Sequence, residues 1–204
     1  ISDNAGMAFY LGLLMLDMGI WVFSESDMRQ FLFAKPSLSQ YFSYFSVELL
    51  GALACMYFDE VQHRKYHKSY IVLESLISIQ LAVNMILHFT GIADLYRTLM
   101  IAHLWMAIAL LTAVVNMVSD IRSKRILQYK ATALGLTGFL VMAAMELVGV
   151  YVTRFHVFGI FACSGLVVLA VATVVQVMID QMHEARERHH RQTEMIVNTI
   201  ETIA

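Results

Sequence analysis

Six apolar stretches, at residues 5–23, 38–58, 70–89, 99–118, 131–152 and 157–179, fill most of this 204-residue chain. At 1.5 Å per residue, about 19 to 23 residues make a helix of roughly 28–35 Å, enough to cross the hydrocarbon core of a bilayer. Hydrophobic residues make up 59% of the chain and charged residues 15%. A soluble domain of this size has no use for so much apolar surface, whereas helices facing lipid need it. The one proline, Pro36, falls between stretches, so no span carries a proline kink. The expected fold is all-α: a polytopic transmembrane bundle of six continuous spans.

The basic residues set the orientation. Arg64, Lys65 and Lys68 lie between the second and third stretches, Arg122, Lys124, Arg125 and Lys130 between the fourth and fifth, and Arg186, Arg188 and Arg191 after the sixth. The alternate connections hold only Arg29, Lys35, Arg97 and Arg154. Basic loops stay on the cytoplasmic side. Both ends of the chain are therefore expected in the cytoplasm, with residues 24–37, 90–98 and 153–156 outside a cell membrane. The net charge of −2 says little about partners, because the charges are segregated by side. Cys55 and Cys163 fall inside spans and are expected as small buried apolar side chains. The opening Ile1-Ser-Asp-Asn-Ala5 has neither the basic flank nor the cleavage site of a signal peptide. A start without Met suggests further chain upstream.

Beyond the sixth stretch, Met182, Ala185, His189, Gln192, Ile196, Thr199 and Ile203 recur at steps of three and four. They form a heptad seam flanked by Glu184, Glu187 and Glu194 and by Arg186, Arg188 and Arg191. The seam divides the chain into a bundle at 1–179 and a cytoplasmic signalling helix at 180–204. His189, Gln192 and Thr199 are poor core residues for a tight zipper. Two readings stay open: a weak parallel coiled coil joining two copies as a homodimer, or a monomeric amphipathic helix that ends the last span. No glycine or proline stops the helix before Ala204, which suggests that something follows it.

The sequence carries no phosphate-binding glycine loop, Cys-x-x-Cys, His-Glu-x-x-His or nucleophile elbow, so the segment is expected to be non-catalytic, without cofactor, metal or nucleic-acid partner. Ionisable groups at membrane depth are functional candidates by default. Asp17, Glu48, His88, His103 and Glu146 lie within or beside the spans, with Trp21, Glu25, Ser26, Asp94 and His156 at or near their outer ends. Polar side chains thus gather toward the outer half, as around a pocket open to the outside. Each also has a structural alternative, from solvated loop acid (Glu25) to interhelical hydrogen bond (His88, His103). Glu74, near the inner end of the third span, is the exception.

The words Tyr10-Leu-Gly-Leu-Leu14, Gly19-Ile-Trp-Val-Phe-Ser-Glu-Ser26 and Tyr41-Phe-Ser-Tyr-Phe-Ser46, with His88-Phe-Thr-Gly-Ile-Ala-Asp94 and Ala102-His103, resemble the membrane sensor region of bacterial seven-transmembrane receptors with diverse intracellular signalling modules. The resemblance covers nearly the whole chain. It implies six of seven spans, with the first upstream of Ile1, and an output domain after the tail. That output would be an HD-type phosphodiesterase, which the wording of residues 191–204 slightly favours, or a GGDEF diguanylate cyclase. Trp21, Glu25, Ser26, Asp94 and His103 are positions that the family's pattern shares.

Together these features lead to a sensory module whose partners are the lipid bilayer, a second copy, and a small-molecule or ectodomain-borne ligand. Two alternatives belong to other classes. A small-molecule transporter usually breaks its helices near the midplane and shows two related halves; neither feature is evident here. A haem-binding redox protein would use His88 and His103 as axial ligands on neighbouring helices. A retinal receptor is excluded, because every lysine lies in a connection.

Overall fold

The computed structural model describes residues 3–32, 36–152 and 159–203. These form helices α1 (Asp3–Glu25), α2 (Arg29–Leu32), α3 (Pro36–Val61), α4 (His67–Phe89), α5 (Leu95–Arg122), α6 (Lys130–Val152) and α7 (Ile160–Ile203), with a 3-10 turn at Arg125–Tyr129 before α6. No strand occurs among the described residues. Six of the helices, all but α2, are long and apolar enough to cross a membrane, and the chain is a multi-pass helical bundle. Each of the six apolar stretches supplies one helix, the sixth from Ile160 rather than from 157, because Gly159 has a left-handed backbone. The fourth extends by about a turn at either end, and the second starts on Pro36, a first-turn position where the missing N–H breaks no intrahelical bond.

The helices alternate in direction, so the bundle has a tail end, from which α7 leaves, and a far end. At its centre stands α3: 67% of its span window is buried, against 22–33% for the other five. Yet it has the least apolar window of the six. The two facts share a cause. A helix touching lipid must be apolar on its outer face, whereas a helix enclosed by neighbours can hold serines and a carboxylate if they find partners. Ser39, Ser43, Ser46 and Glu48 are all buried on α3. Gly51, Ala52, Ala54 and Cys55 follow, also buried, and their small size lets α1, α4 and α5 approach closely.

Toward the tail end the core becomes aromatic. The Phe58 ring centroid lies 6.1 Å from Tyr57, 6.3 Å from Tyr70 and 6.4 Å from Phe139. Two of these contacts are edge-on and the third is tilted, close to the arrangement that opposes ring edge to ring face. The Tyr57 hydroxyl lies 2.6 Å from Thr173 Oγ1. Thr173 itself donates to Leu169 O, so Tyr57 is the donor and ties α3 to α7.

A closer contact joins α6 to α7. A methyl group added at Gly165 would come within 2.8 Å of Met142 Cβ and 3.1 Å of Phe139 Cα, and one at Gly135 would run into Ala172 Cβ. The two helices therefore pack backbone to backbone, in the manner of small-residue interfaces in lipid.

At the tail end the connections are pinned by Asp120. Its carboxylate, at the end of α5 and 1% exposed, accepts from Lys65 Nζ at 2.7 Å, Tyr66 Oη at 3.0 Å and Tyr129 Oη at 2.6 Å. Three non-glycine residues near this knot, His63, Arg64 and Lys124, are left-handed, with φ of 49°, 55° and 57°. Such a backbone is unfavourable for L residues and needs neighbouring contacts to hold it.

Beyond Gln176, the last buried residue among the described side chains of α7, the helix leaves the bundle. It is continuous for 44 residues, about 66 Å, so no break separates bundle from tail at position 180. From Gln181 to Glu194 every side chain is exposed. Met182, Ala185, His189 and Gln192 of the seam are helical and exposed. Ile196, Thr199 and Ile203 continue the helix, with side chains outside the described residues. Glu184–Arg188 and Glu187–Arg191 pair at 2.9 and 3.3 Å on the flanks, each one helical turn apart.

Candidate functional site

A cavity of about 300 Å³ opens between α1, α3, α5, α6 and α7. Its lining on α5 runs from Tyr96 to Leu110, about 21 Å along the helix axis. The cavity is therefore long, reaching from the far end of the bundle to its middle. Leu14, Leu50, Ala109 and Phe139 line the deep part, and Trp21, Glu25, Tyr44, Tyr96, His103 and Glu146 the part nearer the mouth. Glu25 and Tyr96 are exposed there, so the opening faces away from the tail. An apolar chamber with a few convergent polar groups is the usual form of a small-molecule site, and this volume is at the lower end of the usual range.

Trp21, Glu25, His103 and Glu146 are each held by the local fold. Glu25 ends α1, and its Oε1 accepts from Ser43 Oγ on α3. His103 Nδ1 lies 2.8 Å from the Tyr151 hydroxyl, with the two rings perpendicular and 5.7 Å apart. This couples α5 to the end of α6. Trp21 packs against the start of α7: a Cβ on Gly159 would lie 3.3 Å from the indole and 2.7 Å from Val22 Cγ2. Gly159 also has φ of +85°, so both its backbone and its surroundings require glycine.

Glu146 has two roles. It lines the cavity, and its carboxylate accepts from the backbone N–H of Gly159 at 2.7 Å, of Phe161 at 3.0 Å and, more weakly, of Ala162 at 3.4 Å. The first amides of α7 have no partner inside their own helix. A carboxylate from α6 satisfies them and meets the positive end of the helix dipole. The sequence suggests a carboxylate lining a cavity or forming a polar switch; the structure adds that it caps the longest helix.

The structure thus brings Trp21, Glu25, His103 and Glu146 together and sets five other candidates apart. Asp17 is buried on α1 facing Ser46 of α3, with Oδ2 unpartnered. Glu48 is buried outside the cavity's lining, where Asn84 Nδ2 donates to it and Gln80 Nε2 donates in turn to Asn84 at 2.8 Å. This chain joins α3 to α4. His88 Nε2 lies 3.1 Å from the Tyr41 hydroxyl on the same seam. His88 and His103 therefore do not line a common cavity, as a bis-His site requires. Ser26 donates back to Phe23 O at 2.8 Å at the end of α1. Asp94 is exposed at the start of α5, without a side-chain capping bond. His156 lies outside the described residues.

Ser43, Tyr44 and Tyr96 belong to the mouth but were not among the sequence candidates. The spacing of Ser39, Ser43 and Ser46, in steps of four and three, was a usable signal, since it puts three hydroxyls on one face of a span. A smaller cavity of about 130 Å³ near the tail end is lined by polar groups including Asp59, Arg64, His67 and Glu74. Within it, His67 Nδ1 and Asp59 Oδ2 pair at 2.6 Å. Among the described residues no group of three or more His, Cys, Asp and Glu side chains is placed to hold a metal ion. No protein-family model matches the chain, and no curated protein or solved structure matches it.

Proposed function

We propose that this chain is the sensory and signal-transmitting part of a membrane receptor, set in a bacterial cell membrane with its tail in the cytoplasm. One observation carries the reading. The cavity and the tail share a single helix, because Glu146 borders the cavity and holds the first turn of α7, which then runs unbroken for 44 residues. A ligand that displaces Glu146 or Trp21 acts directly on the start of that helix. The other end of α7 then shifts relative to the membrane surface. The polar seam keeps the alternative arrangements of the tail within a few kcal/mol of each other, as a two-state switch requires.

The basic connections at residues 62–66 and 123–129, on the same end as the tail, support a cytoplasmic tail. The tail side chains from Gln181 to Glu194 are all exposed, which supports pairing with a second copy along the seam. By the resemblance of its sequence words, the output is cyclic-dinucleotide signalling, through an HD-type phosphodiesterase or a diguanylate cyclase.

Cysteines placed one at a time through residues 182–203 and oxidised in membranes test the reading. Crosslinked dimers recurring with heptad period, with their pattern changed by a stimulus, are the expected result. A flat profile would remove the dimeric switch, and labelling of these cysteines by an impermeant reagent from outside intact cells would remove the cytoplasmic tail.

A further inference from the structure

We propose that the far-end cavity takes a hydrophobic organic cation, an amine or quaternary ammonium ion with an apolar body. The proposal rests on the cavity being the stimulus site of the receptor. Its shape comes first: a lining that follows α5 from Tyr96 to Leu110 suits a molecule with an extended apolar part, which would lie against Leu14, Leu50 and Phe139.

The mouth selects the charge. Glu25 and Glu146 both line the cavity, and no lysine or arginine does so among the described residues. The two carboxylates are not equivalent. Glu146 is engaged by the amides and dipole of α7, which offset its charge. Glu25 accepts a neutral hydroxyl, from Ser43, through one oxygen, and a carboxylate has room for about four such contacts. Its carboxylate stands at the exposed mouth of an apolar chamber, where an ammonium group can meet it while the apolar body of the same molecule is buried below.

Three aromatic rings, Trp21, Tyr44 and Tyr96, line the same region. Aromatic faces attract ammonium groups, and rings grouped with a carboxylate form the usual cage for a quaternary ammonium ion. An anionic ligand would meet two carboxylates and, among the described residues, no lysine or arginine. A neutral apolar ligand would fill the chamber and leave the charge of Glu25 unused.

Radiolabelled benzyltrimethylammonium binding to the full chain in lipid nanodiscs, with empty nanodiscs as background, tests the ligand class. Neopentylbenzene, in which carbon replaces the charged nitrogen, and phenylacetate serve as competitors. Saturable binding is expected, with neopentylbenzene competing at least about tenfold more weakly and phenylacetate weaker still. Glu25→Gln should weaken the cation by about tenfold and leave neopentylbenzene unchanged, which also checks that the cavity is intact. Trp21→Leu, which removes a ring face and spares the carboxylate, should weaken it by at least about threefold. Absence of saturable binding, or equal competition by the neutral or anionic probe, would overturn the proposal. Equal competition by the neutral probe would make the occupant an uncharged molecule such as a lipid chain. The tail is read separately, from spin labels at position 186 on two copies. Cation binding with an unchanged tail distance would sink the signalling reading and leave the ligand class standing.

Discussion

The carboxylate of Glu146 holds the backbone N–H of Gly159 at 2.7 Å, so a residue near the end of α6 fixes where α7 begins. Its second oxygen reaches the amide of Phe161 at 3.0 Å. Replacing Glu146 with Ala leaves these donors without the acceptor and takes a negative charge from the helix dipole. The expected cost is about 1–2 kcal/mol of stability. Glu146→Gln keeps one acceptor oxygen and should lose less. Hydrogen exchange read peptide by peptide checks this: amides at 159–162 should exchange faster in the Ala variant, while those of α4 stay protected. Unchanged exchange at 159–162 would show that the cap carries no weight.

The α6–α7 interface makes a steric prediction. A methyl group at Gly165 would meet Met142 Cβ at 2.8 Å and the Phe139 backbone at 3.1 Å, so the helices must move apart to accept it. Gly165→Ala should cost about 1–3 kcal/mol by overpacking, and Gly165→Leu more. Gly12 and Gly19 have nothing within 4 Å of an added Cβ, and Gly12→Ala should be neutral or slightly stabilising through helix propensity. Melting temperatures of the three variants in one detergent give the ranking directly.

The knot at Asp120 makes a prediction about charge. Asp120→Asn leaves Lys65 without its carboxylate, and both tyrosine hydroxyls lose a charged acceptor, at an expected cost of about 1.5–3 kcal/mol. Lys65 is 27% exposed, which holds its own share toward the lower end. Lys65→Met combined with Asp120→Asn should cost less than the sum of the single changes, since each removes the same pair. Hydrogen bonds to Asp120 and then Tyr66 hold the Lys65 ammonium above its ordinary pKa of 10.5. Its contribution is therefore complete below about pH 10.5 and is lost as pH climbs through the raised value. Wild type should lose more stability than Lys65→Met in that alkaline window.

How far the sequence disclosed this arrangement follows from which forces act along one segment and which act between segments. The helices were legible because span length and charge segregation are properties of consecutive residues. The Asp120 knot was not, because its partners Lys65, Tyr66 and Tyr129 lie in two connections far apart in sequence, whose approach is set by the turns around Arg64 and Lys124. Glu146 was legible as a carboxylate too deep to be idle, but its partners are backbone amides and carry no sequence signal. Glu48 and His88 stood out for the same reason as Glu146, yet each is joined to its own neighbour on the α3–α4 seam. Depth in a membrane identifies a group that needs a partner. It does not say whether that partner is a helix or a ligand.

The exit of α7 gives the last prediction. Gln176 is the last buried residue before the tail. Its Oε1 accepts from the Ala131 amide at 3.0 Å, and its Nε2 donates to Gln128 O at 3.1 Å and to Asp180 at 2.9 Å. One side chain thus joins the start of α6 and the connection before it to the point where α7 leaves the bundle. Gln176→Leu fills similar space but satisfies neither the Ala131 N–H nor the Gln128 C=O, at an expected cost of about 1–2 kcal/mol. Gln176→Glu keeps an acceptor for Ala131, loses both donations and sets a second carboxylate beside Asp180. The amide of Ala131 should therefore exchange faster in the Leu variant and stay protected in the Glu variant, while the tail loses its fixed orientation in both. If Ala131 remained equally protected in Gln176→Leu, Gln176 would be a filler of space, and the register of the tail would have to be set by Tyr57 and Thr173 alone.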